Sequence, residues 1–163
     1  MELKRWWDGK VIFTIVYCVC FVLYLFAVFW PVEAKSYAVS AHLLIPSIGL
    51  SSDVTTVDLA DGELETPDTI VGSYVRSAHK NFLFGHSSTV FNKLHEVKTG
   101  DEIVYEDTKY KVISSEILEK NDINMNKLLR ASERDTLVVM TCAGEDLGEG
   151  DATHRLILTA VRQ

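Results

Sequence analysis

The chain has 163 residues, a formal net charge of −7 and a hydrophobic fraction of 47%. Both properties are unevenly divided: residues 1–32 carry all three Trp and sum to +1, while residues 33–163 sum to −8. This excludes a fully soluble, a disordered or a multi-domain chain, and an acidic domain of about 130 residues is a poor partner for nucleic-acid phosphates.

From Val11 to Val32 no residue is charged, and Thr14 is the only plainly polar one. As a helix these positions span roughly 33 Å, the depth of a bilayer core. Trp6, Trp7 and Trp30 stand at its ends, where interfacial aromatics belong. Lys4, Arg5 and Lys10 precede it, so the basic bias puts residues 1–10 in the cytoplasm and residues 33–163 outside the cell membrane. A cleaved signal peptide is the competing reading, because Val32-Glu33-Ala34 and Val39-Ser40-Ala41 offer small residues for cleavage. Its apolar region is roughly 7–15 residues, shorter than this run, so a single-pass anchor is expected. Cys18 and Cys20 lie within the span and read as apolar filler. Cys142 is then the one exported cysteine, either a buried small hydrophobe or a reactive thiol.

Residues 33–41 read as a tether, and residues 42–163 as one exported domain. Strands are expected at His42–Ile45 (with Ile48-Gly49-Leu50 following Pro46), Ser52–Leu59, Asn81–Gly85, Glu102–Glu106, Lys109–Leu118, Thr136–Cys142 and Arg155–Val161. The fourth and fifth of these segments flank Asp107-Thr108 as a hairpin. Helical signals are short, at Val90–His95 and Met125–Arg130. Many short strands with little helix predict an all-β fold, a closed or nearly closed barrel.

The strand ending at Cys142 is followed by Ala143–His154, with three Gly and four carboxylates, which reads as a surface loop. If the strands on either side pair antiparallel, Cys142 and Arg155 face each other at one rim of the sheet. A guanidinium beside a thiol favours the thiolate and offers donors to an oxyanion. A nucleophilic thiol also needs a proton partner. Of five His, His86 is best placed, since it follows the apolar run Phe82-Leu83-Phe84 and a flexible Gly85. Taken alone, that Gly-His pair reads first as a structural histidine.

These residues together resemble those of a sortase, a membrane-anchored cysteine transpeptidase. Leu44-Ile45-Pro46-Ser47-Ile48-Gly49-Leu50 resembles the family's entry strand, and Phe84-Gly85-His86-Ser87 its histidine segment. Phe91-Asn92-Lys93-Leu94 and Gly100-Asp101-Glu102-Ile103 resemble the stretch that follows. Leu137-Val138-Val139-Met140-Thr141-Cys142, with Arg155 thirteen residues on, resembles the Thr-Cys strand and its arginine. The resemblance implies an eight-stranded barrel with Cys142 as nucleophile, His86 as general acid/base and Arg155 as oxyanion or substrate stabiliser. It implies cleavage of a Leu-Pro-x-Thr-Gly-like sorting signal on a surface protein or pilin. An amine of a cell-wall precursor or of a pilin lysine then resolves the acyl-enzyme.

Substrate choice in such enzymes resembles a task for the segment before the Cys strand, here Glu119–Ser132. Its Ile123, Leu128 and Leu129 are candidates to line a Leu-Pro pocket, or else they pack onto the barrel. No cofactor is expected. Glu145, Asp146, Glu149 and Asp151 are oxygen ligands of the kind Ca²⁺ takes, but their spacing matches no defined calcium loop, and a solvated acidic surface is the simpler reading. Two other functions compete: a cell-surface cysteine peptidase that passes the acyl group to water, and a catalytically idle anchored barrel that binds a partner.

Overall fold

The structure is a computed structural model that describes residues 2–29, 36–60, 63–77, 79–148 and 151–163; the side chains of residues 2–10, 27–29, 60 and 63 are outside that description. Two compact units divide the chain, Met1–Ser36 and Tyr37–Gln163.

The first unit is helix α1, Glu2–Phe29. The expected membrane segment runs along it as far as residue 29. Residues 30–32, residues 33–35 of the tether and the side chains of the three Trp lie outside the described residues. Among the described residues no helix is long and apolar enough to cross a membrane. Residues 11–26, whose side chains are described, rise about 24 Å as a helix, short of a bilayer core of about 30 Å.

Among the described residues the second unit has ten strands: β1 (Ala41–Ile45), β2 (Leu50–Thr56), β3 (Leu59–Ala60), β4 (Glu63–Leu64), β5 (Val71–Ser77), β6 (Lys80–Phe84), β7 (Glu102–Tyr105), β8 (Thr108–Glu119), β9 (Thr136–Gly148) and β10 (Asp151–Arg162). Eight of them close into a barrel in the order β1-β2-β5-β6-β9-β10-β8-β7, and β3 and β4 form a separate hairpin. Most neighbours are antiparallel, but β2 pairs β5 and β6 pairs β9 in parallel. The second parallel pair matters most, because it joins the histidine segment to the cysteine strand.

Alternation of side chains gives the barrel two apolar faces. Leu43, Ile45, Val54, Leu83, Ile103, Val112, Leu137, Val139 and Leu158 point inward with Phe91 and Leu94 and make the main core. Phe82, Phe84, Val138 and Ile157 point outward on three neighbouring strands. There they are covered by Leu129, with Ile123, Met125 and Leu128 packed alongside. This second cluster is the floor on which the site described below rests.

Several boundaries differ from the sequence reading. The turn between β7 and β8 is Glu106-Asp107, one residue earlier than expected, and both residues have positive φ (49° and 60°). Two left-handed residues match the twist of a tight hairpin. The second helical signal forms one short helix, α2 (Met125–Leu128), and the first is a series of turns ending in a 3₁₀ turn at Leu94–Glu96. β5 was not expected; its Val71-Gly72-Ser73 start is buried but carries only one large apolar residue. Ala143–His154 is largely not a loop: β9 continues to Gly148 and β10 begins at Asp151, with two register shifts in the pairing.

Candidate active site

Cys142 is directly opposite Arg155 in the antiparallel β9–β10 pair, as the strand directions required. Directly opposed residues share a face of the sheet. On the other side of β9 the register pairs Phe84 with Met140. Cys142 follows Met140 by two residues in β9, and His86 follows Phe84 by two residues, just beyond the end of β6. Three adjacent strands, β6 from just past its end and β9 and β10 from within their length, therefore deliver an imidazole, a thiol and a guanidinium to one cavity of about 620 Å³, which all three line.

Two local features fix this alignment. The Thr141 hydroxyl, buried, donates to the Gly85 carbonyl at 2.8 Å, tying the cysteine strand to the residue before His86. Gly85 itself has no room for a side chain: a Cβ there would stand 2.6 Å from Val90 Cγ1 and 3.1 Å from the Phe91 ring. Beyond it the chain turns tightly, with the Phe91 N–H donating to the His86 carbonyl at 3.0 Å. His86 is thus the last residue before a packed turn rather than the tip of a free loop. Cys142 is a half-buried thiol, and His86 is half-buried too.

Arg155 is largely enclosed, with 14% of its side chain exposed. Nη1 donates to the carbonyls of Ala152 (2.8 Å) and His154 (2.9 Å), and Nη2 donates to Asp151 Oδ1 at 2.6 Å. Asp151 also pairs with Lys120 Nζ. Hydrogen bonds from Lys120, then from Arg155 and the Ala152 N–H, hold the Asp151 carboxyl well below the usual carboxylate range.

Beyond the reactive end, the cavity is walled by Phe82, Phe84, Met140 and Leu129, and by Tyr74 and Arg76 of β5. Arg76 donates to Asn126 Oδ1 of α2 at 3.2 Å. Among the described residues no carboxylate lines the cavity. An apolar trough that ends in a thiol and two cationic or ionisable donors suits an extended uncharged peptide, with its carbonyl at the polar end.

Of the three residues read as a substrate pocket, Leu129 is buried and lines this cavity, while Ile123 and Leu128 are half-buried against the outer cluster and are not among its lining residues. The opposite wall, from β5 and the β3–β4 hairpin, had no sequence signal beyond scattered apolar residues. Glu145 and Asp146 are exposed, Asp151 is engaged by two cations, and Glu149 lies outside the described residues. Among the described residues no group of three or more His, Cys, Asp or Glu is arranged to hold a metal ion.

Comparison with known proteins gives a consistent result. The family model described as Sortase domain matches residues 43–163. No curated protein matches the chain. Among solved structures, a lid mutant of sortase A from Corynebacterium diphtheriae superposes with a TM-score of 0.63 at 23% identity, over 81% of this chain and 74% of that one. Sortase C-1 from Actinomyces oris gives 0.59 at 24%, over 77% and 72%. The pilus island 1 sortase C2 of Group B Streptococcus gives 0.61 at 19%, over 80% and 77%. At these identities the superpositions speak for the barrel, and the family match speaks for the lineage.

Proposed function

The chain belongs to the sortase family of cysteine transpeptidases, and from that premise we propose that it cuts a Leu-Pro-x-Thr-Gly-like sorting signal and joins the protein to an amine. The Cys142 thiolate attacks the Thr carbonyl carbon, and Arg155 faces the oxyanion that forms. Collapse breaks the Thr–Gly bond. The leaving amine takes a proton from His86, and a thioester remains on Cys142. An incoming amine gives its proton to His86 and attacks the thioester carbon. The new C–N bond replaces the C–S bond, and Cys142 is released. The amine is that of a cell-wall precursor or of a pilin lysine.

One observation carries this reading: the cysteine and arginine oppose each other in register, and His86 lines the same cavity. The apolar trough beside Cys142 is the natural seat for the Leu-Pro part of the signal, with Leu129 on its wall. The protein acts from the outer face of a membrane, with residues 1–10 cytoplasmic and residues 11–32 as the anchor. That part rests on the uncharged run and on the helical backbone through Phe29.

The test uses a peptide carrying the signal, with and without triglycine. A joined product that grows with triglycine concentration is expected. Hydrolysis that continues unchanged with no adduct overturns transpeptidation in favour of a peptidase.

A further inference from the structure

Arg155 is oriented by more than its own strand. A guanidinium has five N–H donors in a rigid fork. Three of them are satisfied on the hairpin side, at Ala152, His154 and Asp151. The other two are Nε–H and the second N–H of Nη2, and the side chain borders the cavity beside Cys142. Asp151 is itself fixed: its Oδ1 also accepts from the Ala152 N–H at 2.9 Å, and its Oδ2 pairs with Lys120, from the 3₁₀ turn that follows β8. A string of alternating charge thus runs from the end of β8 across the hairpin to the arginine.

We propose that Asp151 is a positioning residue for the transpeptidation, clamping the Arg155 fork so that its two remaining donors point to where the oxyanion forms, with Lys120 bracing the clamp. The inference rests on the roles given above to Cys142 and Arg155. Its physical basis is preorganisation. A long, flexible side chain that is already fixed loses no rotamer freedom at the moment the oxyanion appears, and its donors need no reorientation. Asp151 stays ionised throughout the working range, because its two cationic partners hold the carboxylate form. Nothing in the sequence distinguished it from the three other acids of Ala143–His154.

The experiment is a double-variant cycle on the full chain, with thermal midpoints to show that each variant is folded. Asp151→Ala is expected to lower kcat about 10–100-fold while KM changes less than about two-fold. Asp151→Asn keeps an acceptor for Nη2 and retains most of the activity. Adding Asp151→Ala to Arg155→Ala costs nothing further, because the partner it acts through has gone. Losses that multiply in the double variant overturn the proposal, as does an Asn variant no better than Ala. Asp151→Ser carries the same test if the Ala variant folds poorly. A second readout needs no peptide: the rate at which iodoacetamide alkylates Cys142. Positioning predicts that Asp151→Ala slows alkylation towards the Arg155→Ala rate. An acid that acts only through its own negative charge predicts faster alkylation, which overturns the proposal. Should no peptide be turned over by the unaltered protein, the functional reading fails, while alkylation still decides the role of Asp151.

Discussion

Thr141 and Gly85 do no chemistry, yet the distance between thiol and imidazole depends on them. Thr141→Val keeps the shape but removes the donor to the Gly85 carbonyl. A destabilisation of about 1–3 kcal/mol is expected from the lost buried hydrogen bond, with a fall in kcat as His86 loses its register. Gly85→Ala forces a methyl against Val90 and Phe91, an overpacking expected to cost about 1–3 kcal/mol. Urea melts and peptide turnover measure both. Cys142→Ala should abolish turnover and leave the melt essentially unchanged. Arg155→Ala should lower kcat by roughly 10²–10³, the usual effect of losing one oxyanion donor. Residue types at strand ends were legible from the sequence: a Cys closing one apolar run, an Arg opening the next and a His after a Gly. The Asp151–Arg155 pair was not, because an acid in a run of Gly and acids gives no sign of which cation it meets.

At the scale of elements, the β9–β10 hairpin and the outer cluster behave differently. The hairpin was misread as a loop for a physical reason. Its outer half is mostly polar, with only Leu147 and the small Ala143 and Ala152 apolar, so the period-2 pattern that marks a half-buried strand is missing there. Backbone pairing continues it, helped by the Glu145 N–H donating to the Thr153 hydroxyl at 3.0 Å, with Gly144 at φ +81° packed against Thr153 and His154. The outer cluster was half legible: Leu129 was among the candidates, whereas β5 carried too few apolar residues to be seen. Leu129→Ala should open the trough from above. The expected result is a KM raised several-fold with a smaller change in kcat, and a stability loss of about 2–3 kcal/mol for a Leu that is buried at the edge of a core. Steady-state kinetics on the signal peptide separate the two effects.

For the whole molecule, Tyr37–Gln163 is a compact unit with its own core, so a protein starting at Tyr37 should fold and cleave soluble peptide. A truncated protein without a cooperative melt would contradict this. Acid should weaken the barrel. Asp135 accepts from His79 Nδ1 at 2.8 Å and pairs with Arg162 at 3.0 Å, and these bonds, the His79 one foremost, hold its carboxyl below the usual carboxylate range. A carboxylate depressed in the folded state contributes stability that is full above its unfolded value and is lost as the pH falls through its folded value. The thermal midpoint should therefore drop below about pH 4, and Asp135→Asn should flatten that part of the profile. The barrel class was legible because strand and turn signals recur along the domain. Its strand order was not, since the parallel β2–β5 and β6–β9 pairs join segments whose sequences carry no mark of each other.

The β6–β9 seam also bears on time. Gly85 and Thr141, bonded across it, are 56 positions apart in the chain. A pairing between such distant segments must meet its loop-closure entropy before any contact rewards it, and sheets dominated by such contacts fold in roughly milliseconds to seconds. The hairpins β7–β8 and β9–β10 can form locally and early, and they bring Arg155 to Cys142 as they do so. His86 arrives only when the seam zips. A partly folded copy with that seam still open is expected to hold a thiol and an arginine without the imidazole beside them, so acyl transfer waits for the β6–β9 pairing.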